Sequence, residues 1–227
     1  MDINSIRAFW NQAAEANPYW YVSSVGSYHA QRDLNSFWDS GHAIWSNLKR
    51  LTGYTPALHH RVVEIGCGVG RLTRAIAPEV GNVIALDVSS KMLELARQSN
   101  LGNVEFRQAE GFSLPGISEA SADLVIAYCV FQHLPSLAAL RSYLAEMTRV
   151  SRGMIAFTMV PREFSDYFLP LLRIRSRLRR NGPMTYRREW TGIRPSSATV
   201  SRLSPIPLAR AEAGMLELYY GHKECTG

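Results

Sequence analysis

Hydrophobic positions along the chain follow different periods on the two sides of residue 60. In residues 1–60 they recur every three or four positions, which is typical of helices with one buried face. From residue 61 onward, short and nearly continuous apolar runs alternate with helical periods. Strands of a parallel sheet that is covered on both faces have such uninterrupted runs, and helices connect them. The pattern therefore predicts an α/β fold with a doubly wound, mostly parallel sheet.

The N-terminal region is predicted to be helical and is rich in aromatic residues. One helix begins near Ser5 and ends at Asn17–Pro18, because proline cannot continue the hydrogen-bond ladder. A second helix covers about 33–51, where seven apolar side chains form one stripe: Leu34, Phe37, Trp38, Ile44, Trp45, Leu48 and Leu51. We expect this region to cover part of the sheet. Its aromatic residues at 19–21 and 28 would pack as a hydrophobic cover or stack on a ligand.

The rest of the chain predicts alternating strands and helices. Strands are expected at 61–65, 82–87, 104–106, 122–128 and 153–160, with further strands near 198–201 and 215–220. The connecting helices are expected at 71–76, 91–97 and 136–150.

The composition favours one globular domain over residues 1–227. Of the 227 residues, 46% are hydrophobic and 19% are charged, so the chain can bury a full core. The 3 cysteines lie far apart, which argues against a disulfide-stapled scaffold and against a zinc module. The N-terminus lacks the pattern of a signal peptide, and no apolar run is long enough to span a membrane. We therefore expect a cytoplasmic protein.

The net charge of +6 is concentrated in one segment, residues 162–194, which holds nine arginines and three acidic residues. The remaining chain is balanced, so the high isoelectric point does not indicate a basic surface spread over the protein. Three interpretations stay open for this segment. It could be a solvated basic lid over a site, a grip for a carboxylate or phosphate on a ligand, or a surface for anionic membranes or RNA.

A glycine-rich turn follows the first predicted strand and opens a helix. Gly66, Gly68 and Gly70 alternate along it, and Glu64 stands two residues before the first glycine. Such a turn lets the backbone approach a ligand closely at the carboxyl edge of the sheet. It is not a dinucleotide fingerprint, since the third glycine of G-x-G-x-x-G would fall on Arg71, and no Gly-Lys-Ser/Thr follows for a phosphate loop.

Two further acidic segments support a nucleoside site. Asp87 ends the second strand about twenty residues after the glycine turn, a spacing that suits an acceptor for both ribose hydroxyls. Glu110 follows the third strand in the segment 109–115, Ala-Glu-Gly-Phe-Ser-Leu-Pro.

Together these segments resemble the class I S-adenosylmethionine-dependent methyltransferases. Glu64–Gly70 fits the family's first motif, an acid two residues before G-x-G-x-G. Asp87 is similar to the ribose-binding acid, and Glu110 stands where the family usually has the Asp that receives the adenine amino group. The segment 128–135 resembles the stretch that follows strand four beside the methyl donor. The resemblance covers about residues 61–160.

The resemblance implies a seven-stranded, Rossmann-like sheet that binds S-adenosylmethionine, releases S-adenosylhomocysteine and needs no metal. It divides the chain into a helical cover (1–60), a cofactor-binding core (61–160), an Arg-rich insertion between strands five and six (161–198) and C-terminal strands (199–227). The implied cofactor-binding residues are Glu64, Gly66, Cys67, Gly68, Gly70, Asp87, Val88, Met92, Glu110, Gly111, Phe112 and Tyr128.

His133 is the candidate catalytic residue, because it is the titratable side chain nearest the expected methyl group. If the acceptor is a hydroxyl, His133 could remove its proton as a general base. The alternative is that His133 only packs or caps the next helix.

The expected reaction is methyl transfer to an oxygen or nitrogen of a small-molecule acceptor. If the acceptor is anionic, the arginines of residues 162–194 could bind it. The chain has no separate nucleic-acid module, and no Asn/Asp-Pro-Pro-Tyr segment follows strand four, which disfavours methylation of base amino groups. Two alternatives stay open. One is methylation of RNA, a peptide or a protein docked on the 162–194 arginines, and the other is a non-catalytic protein that binds S-adenosylmethionine.

Overall fold

The computed structural model describes residues 2–23, 34–160, 193, 195–213 and 216–223. In order along the chain, its strands are β1 (Arg61–Ile65), β2 (Asn82–Asp87), β3 (Val104–Gln108), β4 (Ala122–Ala127), β5 (Ser151–Met159), β6 (Ala209–Ala213) and β7 (Leu216–His222). Its helices are α1 (Ile3–Ala16), α2 (Pro18–Val22), α3 (Leu34–Thr52), α4 (Thr73–Ile76), α5 (Ser90–Arg97), α6 (Leu137–Val150) and α7 (Ser197–Leu203). Short 3-10 turns cover Ala77–Glu79 and Phe131–His133.

The seven strands form one sheet in the order β3-β2-β1-β4-β5-β7-β6. Strands β1 to β5 run parallel to their neighbours, whereas β7 pairs antiparallel with both β5 and β6. The prediction of a doubly wound, mostly parallel seven-stranded sheet is therefore confirmed. The sheet is mixed because its C-terminal hairpin reverses direction.

Side chains of the central strands alternate between two buried cores. Val63 and Ile65 point to the core beneath α6, and Val62 points to the core beneath α3 and α4. Both cores hold fully buried residues from β1, β2, β4 and β5. Burial on both faces explains why these strands are nearly continuous apolar runs.

The ends of several helices are set by polar side chains. Asn17 ends α1, and its side-chain oxygen accepts a hydrogen bond from the backbone of Trp20, while Pro18 occupies the first turn of α2. Ser89 caps α5 and Ser136 caps α6 in the same way. The predicted break at Asn17–Pro18 is confirmed, and it is also the start of the next helix.

A third cluster joins the N-terminal helices to the sheet edge. Phe37 of α3 packs with Val69 of the glycine turn and Met92 of α5, together with side chains of α1 and α2. The predicted stripe on α3 is only partly buried, because Leu34 is 47% exposed at the start of the helix.

The prediction of a strand near 198–201 is wrong. These residues lie in α7, where Ser196 accepts a hydrogen bond from the backbone of Thr199 and Val200 is buried against α6. The β-branched pair at 199 and 200 favours a strand locally, but the serine cap and the burial of one face stabilise a helix. The strand that pairs with β7 is β6, an edge strand whose alternating Ala, Arg and Glu residues give a weak strand signal.

The Arg-rich insertion lies outside the described residues, apart from 193 and 195–198, and so does Tyr28. Within the described part of the chain, no helix combines the length and the apolar character needed to cross a bilayer.

Candidate active site

Three loops meet at the carboxyl edge of the sheet, at the point where the strand order reverses. Next to β1 lie β2 on one side and β4 on the other, so the chain leaves β1 between two diverging halves of the sheet. The glycine turn follows β1, Asp87 ends β2, and the segment 128–133 follows β4. Ligands of open α/β sheets bind at this crevice.

The three glycines of the turn have backbone angles that other residues rarely adopt. Gly66, Gly68 and Gly70 have φ values of 73°, 56° and 85°. The N–H groups of Gly66 and Cys67 both donate to the carbonyl of Leu86, at 2.7 and 2.9 Å. The turn is therefore bound to the end of β2 by its own backbone.

Close contacts within the chain give two of these glycines a second role. A Cβ on Gly66 would lie 2.3 Å from a methyl group of Val130, and one on Gly68 would lie 2.9 Å from a methyl group of Val22. The sequence predicts that the glycines let the backbone of the turn approach a ligand closely. The structure shows that side chains of α2 and of the loop after β4 also need this space.

Glu64 is a buried acid beneath the turn. Its side chain is 3% exposed, and its Oε2 accepts a 2.6 Å hydrogen bond from the Thr73 hydroxyl of α4. Burial raises the pKa of Glu64 to about 7, and the charge of Asp87 adds to the shift, against the hydrogen bond from Thr73 and the charge of Arg71. Taking a carboxylate out of water is the dominant cost here.

Asp87 is the second buried acid of the crevice. Its two oxygens accept hydrogen bonds from the backbone N–H groups of Gly68 and Ser89, both at 2.8 Å. Burial nevertheless raises the pKa of Asp87 to about 6, because these bonds only partly replace water. A carboxylate has about four acceptor positions, so Asp87 can accept further hydrogen bonds from a ligand.

The loop after β3 places Glu110, Gly111 and Phe112 near the same edge. Glu110 is exposed. A Cβ atom added to Gly111 would have no neighbouring atom within 4 Å. Phe112 is partly buried, with its ring edge-on to Tyr143 of α6 at a centroid distance of 5.9 Å. Glu110 and Gly111 therefore leave space beside the loop after β3.

The segment after β4 contributes Tyr128 and His133. Tyr128 is partly buried against the core beneath α3 and α4. The His133 ring is perpendicular to the ring of Trp10, with centroids 5.3 Å apart. Burial lowers the pKa of His133 to about 4, so its imidazole is neutral near neutral pH. A neutral imidazole can accept a proton.

Of the other predicted cofactor residues, Cys67 and Met92 are buried and Val88 is partly buried. Cys67 is 3% exposed, and burial raises the pKa of its thiol well above the ordinary value, so it stays protonated. Met92 is 1% exposed against the N-terminal helices. Val88 is partly buried, and its carbonyl accepts a 3.1 Å hydrogen bond from the Gln108 side chain.

Helix α1 contacts the loops that follow β2, β3 and β4 at the carboxyl edge of the sheet. Asn11 accepts a 2.7 Å hydrogen bond from the Ser89 hydroxyl, Arg7 donates to the carbonyl of Ala109 at 3.4 Å, and Trp10 contacts His133. Sequence analysis predicted a cover here but none of these contacts. They join residues about eighty to a hundred and twenty positions apart, and periodicity carries no such information.

In the sequence, Arg71 indicates only that the glycine turn is not a dinucleotide fingerprint. In the structure it is 6% exposed, donates to the Ser40 hydroxyl at 3.3 Å and lies over the Phe37 ring at 5.6 Å. It therefore links α3 to the glycine turn. Its position directly after the third glycine is the only sequence signal that could have indicated this role.

Comparison with known proteins agrees with this geometry. Residues 62–153 match a family model described as a methyltransferase domain. This part of the chain is therefore similar to methyltransferase domains. A ubiquinone biosynthesis O-methyltransferase of Paracidovorax citrulli is 25% identical to the chain over 126 residues, which is 54% of this chain and 52% of that protein. The chain thus spans about half the length of the curated relatives it matches.

Solved structures show the same fold over nearly the whole chain. Magnesium protoporphyrin IX methyltransferase of Synechocystis, with bound S-adenosylhomocysteine, has a TM-score of 0.66 at 17% identity, covering 98% of this chain and 100% of that one. The DhpI complex with S-adenosylhomocysteine has a TM-score of 0.63 at 19% identity, covering 96% and 95%. The methyltransferase fold therefore extends beyond the matched domain to the N-terminal helices and the C-terminal hairpin.

Proposed function

We propose that this chain transfers a methyl group from S-adenosylmethionine to an oxygen or nitrogen of a small-molecule acceptor. The observation that carries the proposal is the pair of buried carboxylates, Glu64 and Asp87, on either side of the glycine turn at the switch point of a methyltransferase domain. Burial raises the pKa of both carboxyl groups, which supports a ligand that gives them further hydrogen bonds or positive charge. A cationic nucleoside with free hydroxyls would supply that compensation.

The residues of the crevice fit the two ends of the donor. Asp87, held by the backbone of the turn, would accept the ribose hydroxyls, while Glu64 would face the methionine end. Glu110, Gly111 and Phe112 would contact the adenine. When bound, S-adenosylmethionine would supply a methyl group on a sulfonium, so that an acceptor attacking the methyl carbon in line with the carbon–sulfur bond breaks that bond and S-adenosylhomocysteine leaves. The main task of the chain is then to hold the acceptor in line and to exclude water.

His133 would assist the reaction if the acceptor is a hydroxyl. It is neutral at physiological pH, so a ring nitrogen could accept the hydroxyl proton as the oxygen attacks, although a pKa of about 4 makes this imidazole a weak base. Trp10 covers one edge of the ring and limits its contact with water. The same contact also fits a packing role, which is the alternative for His133.

The known relatives favour a small-molecule acceptor. A curated relative is an O-methyltransferase of ubiquinone biosynthesis, and a structural neighbour acts on magnesium protoporphyrin IX. These names support a small-molecule acceptor for this chain and leave its chemical class to experiment.

The proposal is tested in two steps with the full chain. Titration calorimetry with S-adenosylmethionine and S-adenosylhomocysteine measures donor binding. Transfer from radiolabelled S-adenosylmethionine is then measured on a panel of phenols, carboxylic acids and amines. Binding with transfer to one class supports the proposal. Absence of binding to both nucleosides would refute it, and binding without transfer to any acceptor would favour the non-catalytic alternative.

A further inference from the structure

One face of α6 is bonded to the loop that follows β3. Ser142, Tyr143, Glu146 and Arg149 are spaced so that they lie on neighbouring turns of the helix and face the same side. All four make side-chain hydrogen bonds to backbone groups of residues 111–117. We call these four residues the α6 clamp.

The N-terminal half of the clamp binds the carbonyl groups of two adjacent residues. The Tyr143 hydroxyl donates to the carbonyl of Gly111 at 3.0 Å, and the Ser142 hydroxyl donates to the carbonyl of Phe112 at 2.8 Å. These are residues that the resemblance places against the adenine. Two bonds on consecutive peptides leave the backbone at this point little rotational freedom.

The C-terminal half of the clamp binds both polar groups of Leu114. The Glu146 carboxylate accepts from its N–H at 2.8 Å, and the Arg149 guanidinium donates to its carbonyl at 3.1 Å. Arg149 also donates to the carbonyl of Ile117 at 2.9 Å and pairs with Glu146 at 2.7 Å. Hydrogen bonds from charged groups are stronger than neutral ones, so this half anchors the loop.

Tyr143 connects the clamp to the crevice. Its ring stacks on Phe131 at 5.4 Å and meets the edge of Phe112 at 5.9 Å, so the ring is held on two sides. Burial raises the pKa of the Tyr143 hydroxyl, and the charge of Asp87 adds to the effect. The hydroxyl therefore stays protonated as a donor, and it lies close enough to the crevice to be influenced by Asp87.

We propose that the α6 clamp fixes the loop at 110–112 in the shape that selects adenine, with Tyr143 as the main positioning residue. This inference rests on the proposed function of the crevice. A loop that is already held in its binding shape loses less entropy on binding and discriminates better between similar bases. Without the clamp, the loop would adapt to other bases and bind adenine less tightly.

The test compares two ligands that differ only in the base. S-inosylhomocysteine carries a carbonyl where S-adenosylhomocysteine carries the adenine amino group. The dissociation constants of both are measured by titration calorimetry for the wild type and for Tyr143→Phe, which keeps the stacked ring and removes the bond to Gly111. The matched control is Tyr54→Phe, which removes a 3.1 Å hydrogen bond to His60 just before β1.

We expect the wild type to prefer S-adenosylhomocysteine. Tyr143→Phe should weaken the binding of S-adenosylhomocysteine about threefold to tenfold, the range for one lost hydrogen bond, and should reduce the preference over S-inosylhomocysteine. Tyr54→Phe should change neither quantity. Ser142→Ala, at an exposed position, should reduce the preference in the same direction and covers the case in which Tyr143→Phe does not fold.

The outcomes separate the two proposals. If Tyr143→Phe lowers only the melting temperature and keeps the ratio of the two dissociation constants, the clamp is structural and the inference is wrong. Equal binding of both ligands by the wild type would also overturn it. If the wild type binds neither ligand, it is the proposed function that fails.

Discussion

The hydroxyl of Thr73 donates a 2.6 Å hydrogen bond to the carboxylate of Glu64 beneath the glycine turn. Thr73 begins α4, so this bond ties the helix to the end of β1. Both side chains are buried, and one neutral hydroxyl replaces only part of the water that Glu64 has lost. The carboxylate therefore costs stability in the folded protein without ligand.

Glu64→Gln should stabilise the protein above neutral pH and have little effect in acid. The folded pKa of Glu64 is about 7 and its ordinary value is 4.5, so the wild type loses stability as the pH rises between these values. The variant has no such loss and can still accept from Thr73. We compare the free energy of unfolding of the variant with that of the wild type. This difference should be larger at about pH 8 than at about pH 4, by on the order of 2 kcal/mol in favour of the variant.

Denaturant unfolding of both proteins across this pH range measures the difference. If the free energies of unfolding of the two proteins differ by the same amount from acid to alkaline pH, Glu64 does not have the raised pKa of a desolvated carboxyl group. The same substitution should weaken the binding of S-adenosylmethionine if Glu64 faces its methionine end.

Gly66→Ala should destabilise the protein by about 2–4 kcal/mol. The new Cβ would lie 2.3 Å from a methyl group of Val130, at a φ of 73°. Gly102→Ala is the control, because its Cβ would have no neighbour within 4 Å. Chemical denaturation compares the two variants. In the double variant Gly66→Ala, Val130→Ala the contact with the methyl group is relieved, so only that part of the lost free energy of unfolding should return. Full recovery would show that the positive φ at residue 66 costs an alanine nothing.

Asp87→Asn should lower the affinity for S-adenosylhomocysteine at least tenfold, because an amide offers one acceptor oxygen instead of two and carries no charge. Asp123→Asn is the matched control. Asp123 accepts from the backbone of Arg61 and pairs with Arg152 at the amino end of β1 and β4, away from the crevice. Titration calorimetry should show a loss for the first variant alone. Equal losses in both would point to a general effect on the fold.

Trp10→Ala should raise the pKa of His133 from about 4 toward the ordinary value of 6.5. Burial is the cause of the low pKa, and Trp10 covers the ring. A histidine with a lowered pKa stabilises the fold above about pH 6.5, and this stability is lost as the pH falls through 4.

NMR titration of the histidine ring protons measures this pKa directly. Trp38→Ala is the control, because Trp38 packs on Tyr19, Phe37 and Arg74 instead. An unchanged pKa in Trp10→Ala would mean that other groups keep water from His133.

The central sheet could be predicted because its signals are local. β1 and β2 are short apolar runs that end at a glycine turn and at Asp87, and burial on both faces requires such runs. The fold also brings Glu64, Asp87 and the loop at 110–112 to one edge, as the resemblance implied. Their contacts with a donor stay predictions.

The missed features depend on distant partners. β6 exists because β7 offers it an edge, and its Ala-Arg-Ala-Glu-Ala sequence has little strand preference of its own. The same holds for the contact of Asn11 with Ser89 and for the α6 clamp, whose residues look like an ordinary polar helix face in the sequence. The opposite error occurs at α7, where the β-branched residues at 199 and 200 favour a strand locally but the cap at Ser196 begins a helix.

The most direct test of the whole account is to titrate S-adenosylhomocysteine and NAD separately into the purified wild-type protein. We predict saturable binding of one S-adenosylhomocysteine per chain and no binding of NAD, since Arg71 replaces the glycine that a dinucleotide fingerprint needs. Binding of NAD in place of S-adenosylhomocysteine, or of neither, would contradict it.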